Sequence, residues 1–105
     1  MFEVIVKTDK GKAIGQHSIN SREAVIGKAR TCDIQIKGWT VGGQHGKFVQ
    51  QHDGIYIEDL DNGSGIKVNG MTAKRYGPLE ASDEVAIGSY RVNIVDPNAA
   101  KKPAP

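Results

Sequence analysis

Apolar and polar residues alternate along this chain in one short run after another, and no run holds a helical period for three turns. Phe2, Val4 and Val6 share one face, with Glu3 and Lys7 opposite. Ile34 and Ile36 alternate with Asp33, Gln35 and Lys37, and Ile55 and Ile57 with Tyr56 and Glu58. Val85 and Ile87 follow, and Tyr90, Val92 and Ile94 interleave with Arg91 and Asn93. Successive side chains of a pleated strand point to opposite faces, so each run predicts a strand with one face in a core and one in water.

The breaks between runs carry turn chemistry. Asp9-Lys-Gly11, His52-Asp-Gly54, Asn62-Gly63 and Asn69-Gly70 supply residues that tolerate positive φ. Asn69-Gly70, between Ile66-Lys-Val68 and Met71-Thr-Ala73, has the form of a two-residue hairpin turn. Roughly ten or eleven short strands punctuated in this way predict an all-β fold, a sandwich of two twisted antiparallel sheets. Residues 1–96 make the predicted domain. After Asp96-Pro97 the alternation stops, and the Pro/Ala/Lys-rich stretch 97–105 reads as a linker to more of a longer chain, or as a disordered tail.

Composition narrows the function classes. A chain of 105 residues is one domain, and 38% hydrophobic with 25% charged residues is an ordinary globular balance. The formal charge is +2, and without Lys101 and Lys102 the basic and acidic residues balance at 12 each (14 − 2 against 12). That is too even for an electrostatic footprint on nucleic acid. Cys32 is the one cysteine, so no internal disulfide is available, and a reducing, cytoplasmic setting is the default expectation. No apolar run is long enough to span a membrane, and the first residues lack the form of a signal peptide. Nothing requires a second copy of the chain, so a monomer is the default.

Candidate chemistry is sparse. Asn62-Gly-Ser-Gly65 offers Gly-x-Gly, but Ile66, Lys67 and Val68 follow where a dinucleotide site needs a helix. Gly27-Lys28 is followed by Ala29, where a phosphate loop needs Ser or Thr. His17, His45, His52, Cys32 and Asp33 fit no metal spacing, so no metal or cofactor is expected. His45 reads instead as a ring whose two nitrogens tie loops together. Ser64, His45 and Asp59 form a triad only by assertion, with no nucleophile elbow, so no enzyme is expected. The aromatic residues are dispersed, and Phe48 and Tyr90 fall on core faces, which argues against a single-strand nucleic-acid platform. Trp39 has two placements open: exposed as a partner anchor, or folded into the core.

One ordered series is more specific. Ala24-Val-Ile-Gly27-Lys28 precedes Cys32-Asp-Ile-Gln-Ile36, then Val41-Gly-Gly-Gln-His45-Gly-Lys-Phe48. Tyr56-Ile-Glu-Asp-Leu60, Asn62-Gly-Ser-Gly65, Val68-Asn-Gly70 and Val85-Ala-Ile-Gly88 complete it. Over residues 2 to 95 this resembles the forkhead-associated (FHA) domain. The resemblance implies a β-sandwich that binds phosphothreonine peptides through loops at one end. Scaffold positions of that pattern are present at Gly27, His45, Asp59, Gly65 and Asn69. Its ligand positions are altered. By resemblance the first arginine is Lys28, the phosphate-binding serine is Gly42 and the arginine beside it is Gly43. The asparagine that would hold the peptide backbone is Ser64, flanked by Asn62 and Ile66.

The resemblance therefore implies a protein-interaction module whose partner-binding loops are marked by Lys28, Arg30, Gly42, Gly43, Asn62, Gly63 and Ser64. The first expectation is a phosphorylation-independent scaffolding or regulatory role within a larger protein. The alternative is a reworked phosphothreonine pocket built from Lys28, Asn62, Ser64 and backbone amides, or from Arg30 or Arg75 brought into the rim. A third is the regulatory N-terminal domain of a bacterial secretion ATPase or of a kinase-pathway protein. Bland readings stand beside these: Lys28 as a solvated loop lysine, Gly42 and Gly43 as a tight turn, Asn62 as an Asx-type loop former.

Overall fold

The computed structural model describes residues 2–95; the Pro/Ala/Lys-rich stretch expected to be a linker lies outside them. Among the described residues there are eleven strands and no helix: β1 Phe2–Thr8, β2 Ala13–Ile19, β3 Glu23–Gly27, β4 Ile34–Gln35, β5 Gly46–Gln51, β6 Gly54–Asp59, β7 Lys67–Val68, β8 Met71–Thr72, β9 Arg75–Tyr76, β10 Val85–Ile87 and β11 Tyr90–Val95. One sheet runs β2-β1-β11-β10-β7-β8, the other β4-β3-β5-β6-β9.

The alternation decides which face is inside. Phe2, Val4 and Val6 of β1, Val85 and Ile87 of β10, and Val92 and Ile94 of β11 are buried against Ala24 and Ile26 of β3, Phe48 of β5 and Ile55 and Ile57 of β6. Phe48 is fully buried and meets Phe2 across the core at a tilt, centroids 6.4 Å apart. Hiding one such side chain stabilises by about 1.5–3 kcal/mol. Tyr90 is half-buried and packs on the same core.

Asn69 and Gly70 take φ of 52° and 85° between β7 and β8, as a two-residue hairpin of mirror-image turn requires. Asn69 also does more than turn. Its amide donates to Asp83 Oδ1 at 2.8 Å and accepts from the Glu84 backbone N–H at 3.0 Å, pinning the approach to β10. The Asp83 carboxylate, buried, accepts from Glu80 N–H as well.

Two features depart from the pattern read in the sequence. The sheets are not wholly antiparallel, because β4 pairs with β3 in parallel, Ile26 opposite Ile34 and Gly27 opposite Gln35. A parallel return ordinarily needs a crossover of a dozen residues or more. Here β4 is only two residues long, so residues 28–33 need climb back by very little. The alternation over Asp33–Lys37 thus marks a shorter strand than its length implies. Conversely, β2 has no clean alternation and is a full seven-residue strand at a sheet edge, with Ile19 as its buried residue.

Candidate functional site

Three connections come together at one end of the sandwich: residues 28–33 after β3, 36–45 between β4 and β5, and 60–66 between β6 and β7. Backbone hydrogen bonds bind them into a unit. Lys28 N–H donates to Gly42 O and Ala29 N–H to Gly43 O, both at 2.9 Å, and Ser64 N–H donates to Thr40 O at 3.1 Å.

His45 is the hub. Its ring is fully buried, Nδ1 accepts from the Gly42 backbone N–H at 3.0 Å, and Nε2 donates to Gly65 O at 2.7 Å. Its backbone N–H donates to Ile26 O and its carbonyl accepts from Leu60 N–H. One residue therefore ties β3, the Gly42 turn and both ends of the 60–66 connection. With both ring nitrogens engaged by backbone, neither is left to serve as a base for Ser64. Asp59 braces the same connection: its nearly buried carboxylate accepts from Asp61 N–H at 2.8 Å and lies 3.7 Å from Lys74 Nζ. Lys74 also pairs with Asp61, which raises the lysine's pKa through that hydrogen bond and charge.

Side-chain space around the hub is filled. A Cβ on Gly42 would overlap the Asn62 carbonyl, one on Gly63 would overlap the His45 ring, and one on Gly27 would overlap Gly43 O. Gly42 is thus a close-approach glycine between two loops, not a residue needed for positive φ. Gly43 is different. A Cβ there meets nothing nearer than Asn62 Nδ2 at 3.9 Å and Ala29 Cβ at 4.0 Å, so the adjacent position is open. Gly43 and Gln44 form a turn, as the tight-turn reading has it, but neither Gly42 nor Gly43 has a φ in the left-handed region, so the turn itself does not require glycine at either position.

The remaining predicted residues lie outward. Lys28, Arg30, Asn62, Gly63 and Ser64 are exposed. Lys28 and Ser64 line different recesses. One, about 230 Å³, is walled by Lys28, Gly38 and Trp39; the other, about 460 Å³, includes Thr40, Ser64, Lys67, Ser89 and Arg91. Ile66, flanking Ser64, is buried in the core. Arg75 sits on β9, where its side chain is bonded to Glu58 at 3.1 Å and stacked 4.2 Å over the Tyr56 ring. No Asx-type bond of Asn62 occurs among the described residues; that motif belongs to Asp59. Cys32 Sγ–H donates to Gly43 O at 3.0 Å, and burial holds its thiol above the ordinary cysteine range.

The structure also settles Trp39. Its side chain is 103% exposed, at the rim beside Lys28. The sequence left this open, because Trp39 sits in no alternating run. Lys67 and Arg91 of the second recess carry no sequence signal of a site: each reads as the polar half of an ordinary strand.

Comparison with known proteins agrees with this geometry. The FHA domain model matches residues 24–88. No curated protein is matched by sequence. Among solved structures, the FhaA FHA domain complexed with the intracellular domain of Rv3910 is similar at a TM-score of 0.76 and 14% identity, covering 90% of this chain and all of that one. The FHA domain of the CT664 protein from Chlamydia trachomatis has a TM-score of 0.74 at 23% identity, covering 90% and 97%. Mycobacterium tuberculosis EmbR, solved with a low affinity phosphopeptide, has a TM-score of 0.73 at 17% identity, covering 88% of this chain and 24% of that one. At such identities the likeness carries the fold. The family model, spanning more than half of the residues here, carries the membership: this chain belongs to the FHA domain family, whose members are protein-interaction modules.

Proposed function

We propose that this domain holds its protein partner without requiring a phosphorylated threonine, in a scaffolding or regulatory role and not as an enzyme. The observation that carries the reading is the packing of Gly42. The position that resemblance assigns to a phosphate-binding serine faces the Asn62 carbonyl, with no room for a side chain, and its N–H is already bonded to His45. The position assigned to the neighbouring arginine is bare. A hydrogen bond to a charged group contributes about 1.5–3 kcal/mol, so losing two weakens binding by roughly two to four orders of magnitude. Lys28 is a flexible point charge where arginine offers a planar fork, and it lines a recess apart from Ser64.

The reworked phosphothreonine pocket of Lys28, Asn62 and Ser64 has correspondingly little support. A cytoplasmic setting, and a place inside a longer regulatory protein such as a kinase-pathway component or secretion ATPase, remain part of the proposal. They are checked by sequencing the whole gene product and by fractionating cells. The binding claim is checked by titrating matched plain and threonine-phosphorylated peptide libraries. The expected result is no phosphate-dependent binding tighter than the millimolar range; low-micromolar affinity that disappears on dephosphorylation would refute it.

A further inference from the structure

We infer that Lys28 and Trp39 form a two-point seat for an unphosphorylated peptide segment carrying a carboxylate side chain next to an apolar one. The inference rests on the phosphate-independent reading above and adds the chemistry of the partner.

Trp39 faces solvent although its loop is anchored. On either side, Ile36 and Val41 are buried, Ile36 N–H donates to Gly27 O, and Val41 N–H approaches Gly38 O at 3.4 Å. The indole is therefore displayed from a fixed backbone, and it forms one wall of the recess whose other walls are Lys28 and Gly38. A large, rigid, flat aromatic surface with little rotamer entropy to lose is the side chain most often found as a binding hot spot.

Charge decides what accompanies the apolar contact. Over residues 28–45 the basic side chains are Lys28, Arg30 and Lys37, and the one acidic side chain is Asp33. Lys28, Arg30 and Lys37 are exposed and make no ion pair among the described residues. The Asp33 carboxylate accepts from Val25 N–H at 2.9 Å. These loops are thus a local cationic excess on a nearly neutral chain. Within the recess a single flexible ammonium is present. It matches a carboxylate, whereas a phosphate dianion calls for a cluster of donors.

Trp39 is the chain's one tryptophan, so its fluorescence reports on the seat directly. The full chain is titrated with unphosphorylated decapeptides in which Asp or Glu is fixed beside Leu, Ile or Phe. Neutral apolar peptides, threonine-phosphorylated peptides and anionic phospholipid vesicles serve as comparison arms. The expected result is a saturable blue shift with the acidic–apolar peptides, weakened by added salt. By calorimetry, Lys28→Glu and Trp39→Ala each weaken binding about tenfold or more while circular dichroism is unchanged.

Equal response to neutral peptides, response to vesicles alone, or no saturable shift overturns the inference. A plain peptide that binds with Trp39 emission unmoved, and equally to Lys28→Glu, overturns the seat yet leaves phosphate-independent binding intact. A strict requirement for phosphothreonine overturns both.

Discussion

Two regions only a few residues apart use the same loops in opposite ways. Around His45, buried ring, backbone and three close-approach glycines fill all the space, and every polar atom of the imidazole is engaged. At the rim, Lys28 and Trp39 project from the same backbone and touch little else. The contrast separates two questions that the resemblance to phosphopeptide binders runs together. The loops are held in shape by the hub, whereas the proposed partner contacts lie at the rim. The proposed change of ligand chemistry thus asks nothing of the scaffold, which the hub holds by itself.

The sharpest way to break this comparison is His45→Ala. It removes a fully buried ring and leaves the Gly42 N–H and the Gly65 carbonyl without partners. The expected loss is about 3–5 kcal/mol, from the cavity and the unsatisfied groups together, read as a lower urea midpoint. A loss below about 1 kcal/mol would mean that the hub is not what holds the loops.

Gly42→Ser comes next. Its hydroxymethyl group must displace the Asn62 carbonyl, and overpacking of this kind costs about 1–3 kcal/mol or more. The variant is also expected to gain no phosphopeptide affinity, because the space it enters faces the neighbouring loop. A stable Gly42→Ser protein that binds phosphothreonine would reverse the assignment of that glycine to packing.

A smaller effect concerns Cys32, beneath the Gly43 carbonyl. Burial raises its folded-state pKa, so the folded protein keeps the proton that the unfolded chain releases more easily. This contribution to stability is fully present below the unfolded thiol's pKa and is lost as pH rises through the folded value. In mildly alkaline buffer, alkylation of Cys32 should be slower in the folded than in the unfolded protein, because less of the buried thiol is thiolate. Equal rates would show an open thiol.

The smallest effects are expected at the rim. Gly43→Arg enters open space, and Trp39→Ala uncovers nothing buried. Each should move stability by no more than about 0.5 kcal/mol, measured by thermal melting. Gly43→Arg, beside an intolerant Gly42, is the most economical test that two adjacent glycines serve different ends.

Much of the architecture was legible because strand periodicity is a property of the local backbone. Phe2-Val4-Val6 and Val92-Ile94 had to face a core wherever that core lay, and Asn69-Gly70 had to reverse the chain. The short motifs, read in order, also placed His45 as a brace before its partners were known. Edge strand β2 was less legible, because of its residues only Ile19 reaches the core, and without a buried face there is little pressure to alternate. The parallel β3–β4 pairing was not legible at all, since it depends on how far a loop climbs.

The sequence by itself determined most of the strands, their inward faces, the Asn69-Gly70 hairpin turn and which residue types stand at the positions the family resemblance marks. Only the tertiary structure decided that Gly42 is closed while Gly43 is open, that Lys28 and Ser64 line separate recesses, and that Trp39 stands in solvent. The reason is distance along the chain. The Gly42 Cβ position is occupied by Asn62, twenty residues away, and no local pattern encodes which atom arrives there.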